Sequence, residues 1–183
     1  MSVSSCVSRV VLVVLLLIGQ PLGADELIGI ATKVFDGDSF IVKVIEGPEI
    51  EVRLGEIDAP EQDQPYADIA RAALRGMILD RKLRIVVFDT DQYHRKVARV
   101  YRVEDGVDIN AELVRRGHVW VYRRRVKDRS LYDLERAARD QQLGLWALPE
   151  ADREPPWRWR RAHPRQKKET SQNVDRPVAS ISR

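Results

Sequence analysis

The spacing of apolar positions along this chain changes several times, and each change marks an element. Residues 27–35 read as a strand, followed by Asp36-Gly37, a pair that tolerates positive φ and predicts a hairpin turn. Residues 40–45 alternate weakly and predict the returning strand. Gly47-Pro48 turns the chain again, and Ile50-Glu51-Val52-Arg53-Leu54 alternates with period two. These three segments predict a meander. From residue 66 to 79 the period lengthens. Ile69, Ala73 and Met77 are four apart, as are Ala70, Leu74 and Ile78, which predicts a helix with one apolar face beginning near Pro65.

Residues 83–88 and 97–103 are again dense in β-formers, and Asp105-Gly106 turns the chain after the second of them. Residues 109–116 predict a short helix stopped by Gly117. Leu131, Leu134 and Ala138 give a third helix its buried side, with Gly144 closing it. The order βββαββαα predicts a mainly β fold with helices, of α+β class: a five-stranded OB-fold barrel with about three helices. That architecture does not by itself assign a function.

Composition adds boundaries. The chain has 183 residues, 44% hydrophobic and 32% charged, with a net charge of +3, which suits one soluble domain with extensions. Residues 1–24 are expected to be a signal peptide. Arg9 precedes nine apolar residues at 10–18, a break at Gly19-Gln20-Pro21, and a small residue, Ala24, at the expected cleavage point. The apolar run is short for a membrane span, which needs about 20 residues. The expected mature protein is therefore exported, periplasmic or secreted, and touches the membrane only in transit through its leader. Its one cysteine, Cys6, would leave with that leader.

Residues 25–148 form the expected domain and are mildly acidic, whereas from Ala151 onward nine Lys/Arg face four Asp/Glu. Residues 149–183 are expected to be a basic tail containing Trp and Arg, largely disordered, with its polar and patternless part beginning at Gln166. Within it, Trp157-Arg158-Trp159-Arg160-Arg161 reads either as an aromatic-basic nucleic-acid element or, the favoured reading, as tryptophans packing the tail onto the barrel.

Candidate chemistry concentrates in Val34-Phe35-Asp36-Gly37-Asp38-Ser39 and in Arg53 through Glu61. Carboxylates favour a hard cation such as Ca²⁺. Arginine favours phosphate, because its planar fork donates two parallel hydrogen bonds. Metal and anion sites side by side are what phosphodiester cleavage needs. Asp38 early in the second strand, Arg53 in the third and Asp58 with Glu61 in its exit loop can share one wall of a barrel. Asp36 is either a turn residue or a support for a metal site. Arg123-Arg124-Arg125 and Lys127 form either a solvated charge run or phosphate contacts. His118 and His163 read as surface or packing residues, and the scattered histidines make a zinc site unexpected.

These motifs, with Asp91-Gln92-Tyr93-His94-Arg95-Lys96-Val97-Ala98, Asn110 through Gly117, and Gly144-Leu145-Trp146, resemble the staphylococcal nuclease (thermonuclease) family over residues 29–148. The resemblance implies an OB-fold barrel and Ca²⁺-dependent hydrolysis of DNA and RNA that leaves 3′-phosphates. It implies that Asp38, Asp58 and the Ala59 carbonyl hold the metal, and that Arg53, Glu61 and Arg95 are catalytic. Tyr93 matches a tyrosine at the nucleotide's phosphate end. Arg125 stands about where related sequences carry a base-stacking tyrosine, and is a candidate substrate contact. The chain departs from the family pattern at Gln92 and His94, where a basic residue and glycine are usual, and has a short loop, Gln62-Asp63-Gln64-Pro65, before the helix. The expected partner is nucleic acid alone, met by a monomer with no stable protein partner. An OB-fold module that binds without cutting, and an envelope protein tethered by an uncleaved N-terminus, are the competing readings.

Overall fold

The structure, a computed structural model, describes residues 25–164. The expected signal peptide at 1–24 and residues 165–183 of the expected tail at 149–183 lie outside the described residues. Five strands close a barrel: β1 (Asp25–Val34), β2 (Ser39–Val44), β3 (Glu49–Leu54), β5 (Lys82–Thr90) and β6 (Lys96–Arg102), in the order β1-β2-β3-β6-β5. A two-residue strand β4 (Ile57–Asp58) follows β3, and helix α1 (Ala67–Ile78) precedes β5. After β6 come α2 (Ile109–Arg115), a two-residue strand β7 (Trp120–Val121), α3 (Ser130–Asp140) and α4 (Pro156–Ala162). This is the expected α+β OB-fold barrel. The short β4–β7 pairing and α4 were not expected from the sequence pattern.

The meander pairs antiparallel in sequence order, as hairpin connections require. Closure comes from a different contact. β3 and β6 run parallel, with Val52, Arg53 and Leu54 opposite Lys96, Val97 and Ala98. Register shifts between Ala31 and Lys33 and between Val87 and Asp89 bend the sheet enough to close. Alternation along the strands then fills the interior. Phe40, Val42, Val52, Leu54, Leu83, Ile85, Ala98 and Val100 are all fully buried.

Helices α1, α2 and α3 cover the barrel with Leu74, Ile78, Ile109, Leu113 and Leu131. The buried face of α1 is Ala67, Ala70, Leu74, Met77 and Ile78. Ile69, expected in that face, is instead 54% exposed, because the core subtends only one side of the helix. On α3, Glu135 is buried and accepts a hydrogen bond from the Val121 amide at 2.9 Å, which fixes β7. Among the described residues no helix is long and apolar enough to cross a membrane.

One polar side chain fastens the seam between β3 and β6. Asn110, at the start of α2, is fully buried. Its Nδ2 donates to the carbonyls of Gly55 (2.9 Å) and Ala98 (3.3 Å), and its Oδ1 accepts from the Val100 amide (3.1 Å). Truncation leaves the Gly55 carbonyl and the Val100 amide without this partner, each costing about 1–3 kcal/mol before relaxation, while the Ala98 carbonyl keeps the Gly55 amide at 2.8 Å. Asn110→Ala is therefore expected to lower unfolding free energy by about 2–4 kcal/mol, read from urea denaturation with an unchanged m-value.

Candidate active site

The Asp36-Gly37 turn does not work as its sequence suggests. Neither residue takes positive φ. Instead Asp36 Oδ1 accepts from the Asp38 amide at 2.9 Å, so the side chain closes the turn. Gly37 is there for space. A Cβ on it would lie 2.8 Å from the Ala59 Cβ and 2.9 Å from the Ala70 Cβ. That close approach brings the turn against the loop after β4. Asp38 Oδ2 consequently accepts from the Ala59 amide at 2.9 Å, and both Asp38 and Asp58 are buried.

Strand register supplies the guanidiniums. Arg53 lies directly across from Ser39, beside Asp38. Its Nη2 is 2.9 Å from Asp58 Oδ1 and 3.4 Å from Asp38 Oδ2, so one nitrogen bridges both carboxylates. Arg95 reaches the same place from the start of β6. Its Nη1 donates to Ser39 Oγ at 3.2 Å, and that hydroxyl donates to Asp38 Oδ1 at 2.9 Å. The two arginines thus flank opposite oxygens of one carboxylate. Arg95 is steadied by Asp91, whose Oδ2 accepts from its Nε at 2.8 Å. The turn between them places His94 at φ 65°, the left-handed region where glycine is easiest. Tyr93 is exposed, with its ring 5.5 Å from the Arg95 guanidinium.

Glu61 joins this cluster through a residue whose role the sequence did not disclose. Arg160 of α4 donates from Nη1 to Glu61 Oε1 (2.6 Å) and Asp58 Oδ1 (3.2 Å), and from Nη2 to Asp58 Oδ2 (2.7 Å). Gln64 holds the loop beneath it, accepting from the Glu61 amide at 3.1 Å and donating to the Glu154 carbonyl. Helix α4 docks through Trp157, whose ring centroid is 5.9 Å from those of Trp120 and Tyr122. A signal was present: Pro155-Pro156 starts a helix, and Trp157 and Arg160 are three apart, hence on one face. Arg125 lies elsewhere. Its Nη1 pairs with Asp89 Oδ2 at 3.1 Å, and among the described residues it has no hydrogen bond to the carboxylate cluster.

Residues 51–148 match the family described as Staphylococcal nuclease homologue, a span holding Arg53, Asp58, Glu61 and Arg95 but not Asp38. The chain belongs to the staphylococcal nuclease family. It is a nuclease, a hydrolase of nucleic acid. A protein named Micrococcal nuclease from Shigella flexneri is 35% identical over 158 residues, covering 81% of this chain and 88% of that protein. An uncharacterized endonuclease from Escherichia coli O157:H7 is 33% identical over 80% of this chain and 94% of its own length. Protein ParB from Escherichia coli is 37% identical over 80% of this chain and 85% of its own.

In this nuclease the electrostatics follow from burial and crowding. Burial pushes Asp58 above the ordinary carboxylate value, against the hydrogen bond from Arg160, and the Asp38 charge adds to the rise. Arg53 is held more firmly protonated, chiefly by Asp38. Asp91 is pushed up by burial but pulled further down by its hydrogen bonds from Arg95. Among the described residues no three His, Cys, Asp or Glu side chains cluster as a ready metal cage. The fit to a hard cation rests on two buried carboxylates that converge on a single nitrogen of Arg53, which shows that a cationic centre is accommodated between them. Both carboxylates offer oxygen donors, as Ca²⁺ prefers.

Asp36 is pushed up to about 6, first by burial and then by the Asp38 charge. The folded protein therefore holds this proton more tightly than the unfolded chain. The resulting stability is complete below the ordinary value of 3.8 and is lost as pH rises through about 6. Asp36→Asn keeps the acceptor that closes the turn and removes the charge. In chelator at pH 7 it is expected to be more stable than the parent by about 1–2 kcal/mol, with the gap closing near pH 4 in parallel urea titrations.

Proposed function

We propose that this nuclease is a Ca²⁺-dependent phosphodiesterase that hydrolyses DNA, RNA or both by water attack at phosphorus, leaving 3′-phosphates. The observation that carries the reading is the convergence of Arg53, Arg95, Asp38, Asp58 and Glu61 on one wall of the barrel. A phosphodiester is an anion, and the transition state gathers further negative charge on its equatorial oxygens. Catalysis therefore needs positive charge matched to that geometry more closely than to the ground state.

Asp38, Asp58 and the Ala59 carbonyl would hold the metal. When bound, Ca²⁺ supplies Lewis-acid charge to a phosphate oxygen and to a water. Arg53 and Arg95 donate forked hydrogen bonds to the phosphate oxygens, trading their contacts with Asp38, Asp58 and Ser39 for the substrate. Glu61 accepts the proton of the attacking water, held in place by Gln64 below it. Exposed Tyr93, alongside Arg95, can pack at the phosphate end of the bound nucleotide. Export through a cleaved leader at 1–24 would put this activity outside the cytoplasm.

The test is a cleavage assay on end-labelled single-stranded DNA and RNA with Ca²⁺, with Mg²⁺ and with chelator in parallel. Cleavage that requires Ca²⁺ and yields ends resistant to extension until dephosphorylated supports the reading. Equal cleavage in chelator, or 3′-hydroxyl products, overturns it.

A further inference from the structure

The contact between Arg160 and the acidic residues is a competition built into the chain. Both oxygens of Asp58 accept from the Arg160 guanidinium, and its Nη1 also takes Glu61 Oε1. Asp58 is assigned above to the metal and Glu61 to the attacking water. A divalent ion binds carboxylate oxygen at about 2.3–2.6 Å. A guanidinium nitrogen at 2.7 Å from Asp58 Oδ2 occupies the approach to that oxygen and repels a second cation.

What holds Arg160 there is limited. Helix α4 has seven residues and no side-chain N-cap, and it follows Pro155 rather than a continuous element. Its docking rests on buried Pro156, on Trp157 against Tyr122 and the small cluster of Trp120, Ala138, Leu145 and Trp146, on the Gln64–Glu154 contact, and on the Arg160 ion pairs themselves. The Arg160 side chain is 42% exposed, so it can withdraw to water without crossing the core. A segment tied down by so few buried contacts opens at far less cost than the barrel unfolds.

We propose that α4 is an autoinhibitory strap: Arg160 serves as an internal cation on Asp58 and Glu61, and the strap must undock before divalent metal and substrate can use them. This rests on the metal assignment made under the proposed function. Metal affinity is then reduced by the fraction of molecules whose strap is open, and anything that loosens the strap restores it.

Two full-length variants separate this from simple charge removal. Arg160→Gln removes the competing charge. Trp157→Ala keeps that charge and weakens only the docking. Ca²⁺ binding is measured by calorimetry and by tryptophan emission for the parent and both variants, after circular dichroism confirms folding. Both variants are expected to bind Ca²⁺ about 10-fold more tightly than the parent. In the parent, emission is expected to shift with Ca²⁺ as Trp157 leaves Trp120. Tightening in Arg160→Gln alone would reduce the contact to a local charge effect and overturn the strap. Unchanged or weaker affinity in both would do the same, while leaving the metal assignment in place. If neither the parent nor the variants bind Ca²⁺, the metal assignment fails together with the strap.

Discussion

Glu61→Gln is expected to retain Ca²⁺ and nucleotide binding and to lose about 10²–10⁴-fold in kcat, the usual worth of a placed proton acceptor. Glutamine keeps the length of the side chain and an oxygen for the Arg160 contact, so the loop that Gln64 supports is not expected to move. What disappears is the ability to take a proton. The effect should therefore fall on kcat, with KM for single-stranded DNA little changed, because the lost interaction belongs to the transition state. Single-turnover cleavage at saturating Ca²⁺ reads this directly. A variant that cuts at the parent's rate would remove Glu61 from the chemistry and leave it a structural partner of α4.

Arg53→Lys is expected to lose about 10²–10³-fold in kcat/KM, although the formal charge is conserved. Arg53 does two things that an ammonium cannot do together. One nitrogen spans Asp38 and Asp58 in this structure, and in the proposed mechanism the same planar fork turns to the phosphate with two parallel N–H groups. Lysine offers a point charge that can sit against one carboxylate at a time. The comparison with Arg95→Lys is informative, since Arg95 is anchored by Asp91 and Ser39 rather than by both acidic residues. Steady-state rates on a short fluorogenic oligonucleotide would check both, and an Arg53→Lys enzyme within threefold of the parent would contradict the fork argument.

Much of this site was legible because strand pairing is local. Once the meander is read, its register sets Ser39 opposite Arg53 and so puts Asp38 beside that arginine. Period-two alternation likewise marks Val52 and Leu54 as interior and Arg53 as facing away from them. The turn chemistry was only half legible. Asp36-Gly37 marks a turn, but its glycine answers to Ala59 and Ala70, residues that become neighbours only after folding. The departure at His94 was visible as an unusual residue at a glycine position, and the left-handed backbone there is its structural counterpart.

The non-local contacts were far less legible. The pairing of β3 with β6 joins segments more than forty residues apart, and nothing in 96–102 says which strand it will meet. The β4–β7 pairing is too short to produce a period. At 156–162 the favoured reading, tryptophans packing the tail onto the barrel, holds for Trp157, but the helix itself was not read, because an amphipathic face of seven residues is only about two turns long. Its meaning comes from Trp120, Tyr122, Asp58 and Glu61, which are supplied by other parts of the chain.

The joint between β3 and β6 is also the shortest in the barrel, three residue pairs against five or more at every other strand pairing. Arg53 belongs to one side of that joint, and Arg95 immediately precedes the strand on the other. Warming that loosens this joint would separate the two guanidiniums while the antiparallel ladders still held. The working temperature of such an enzyme would then be set by alignment across one narrow hinge line, and heat would silence it before it melted.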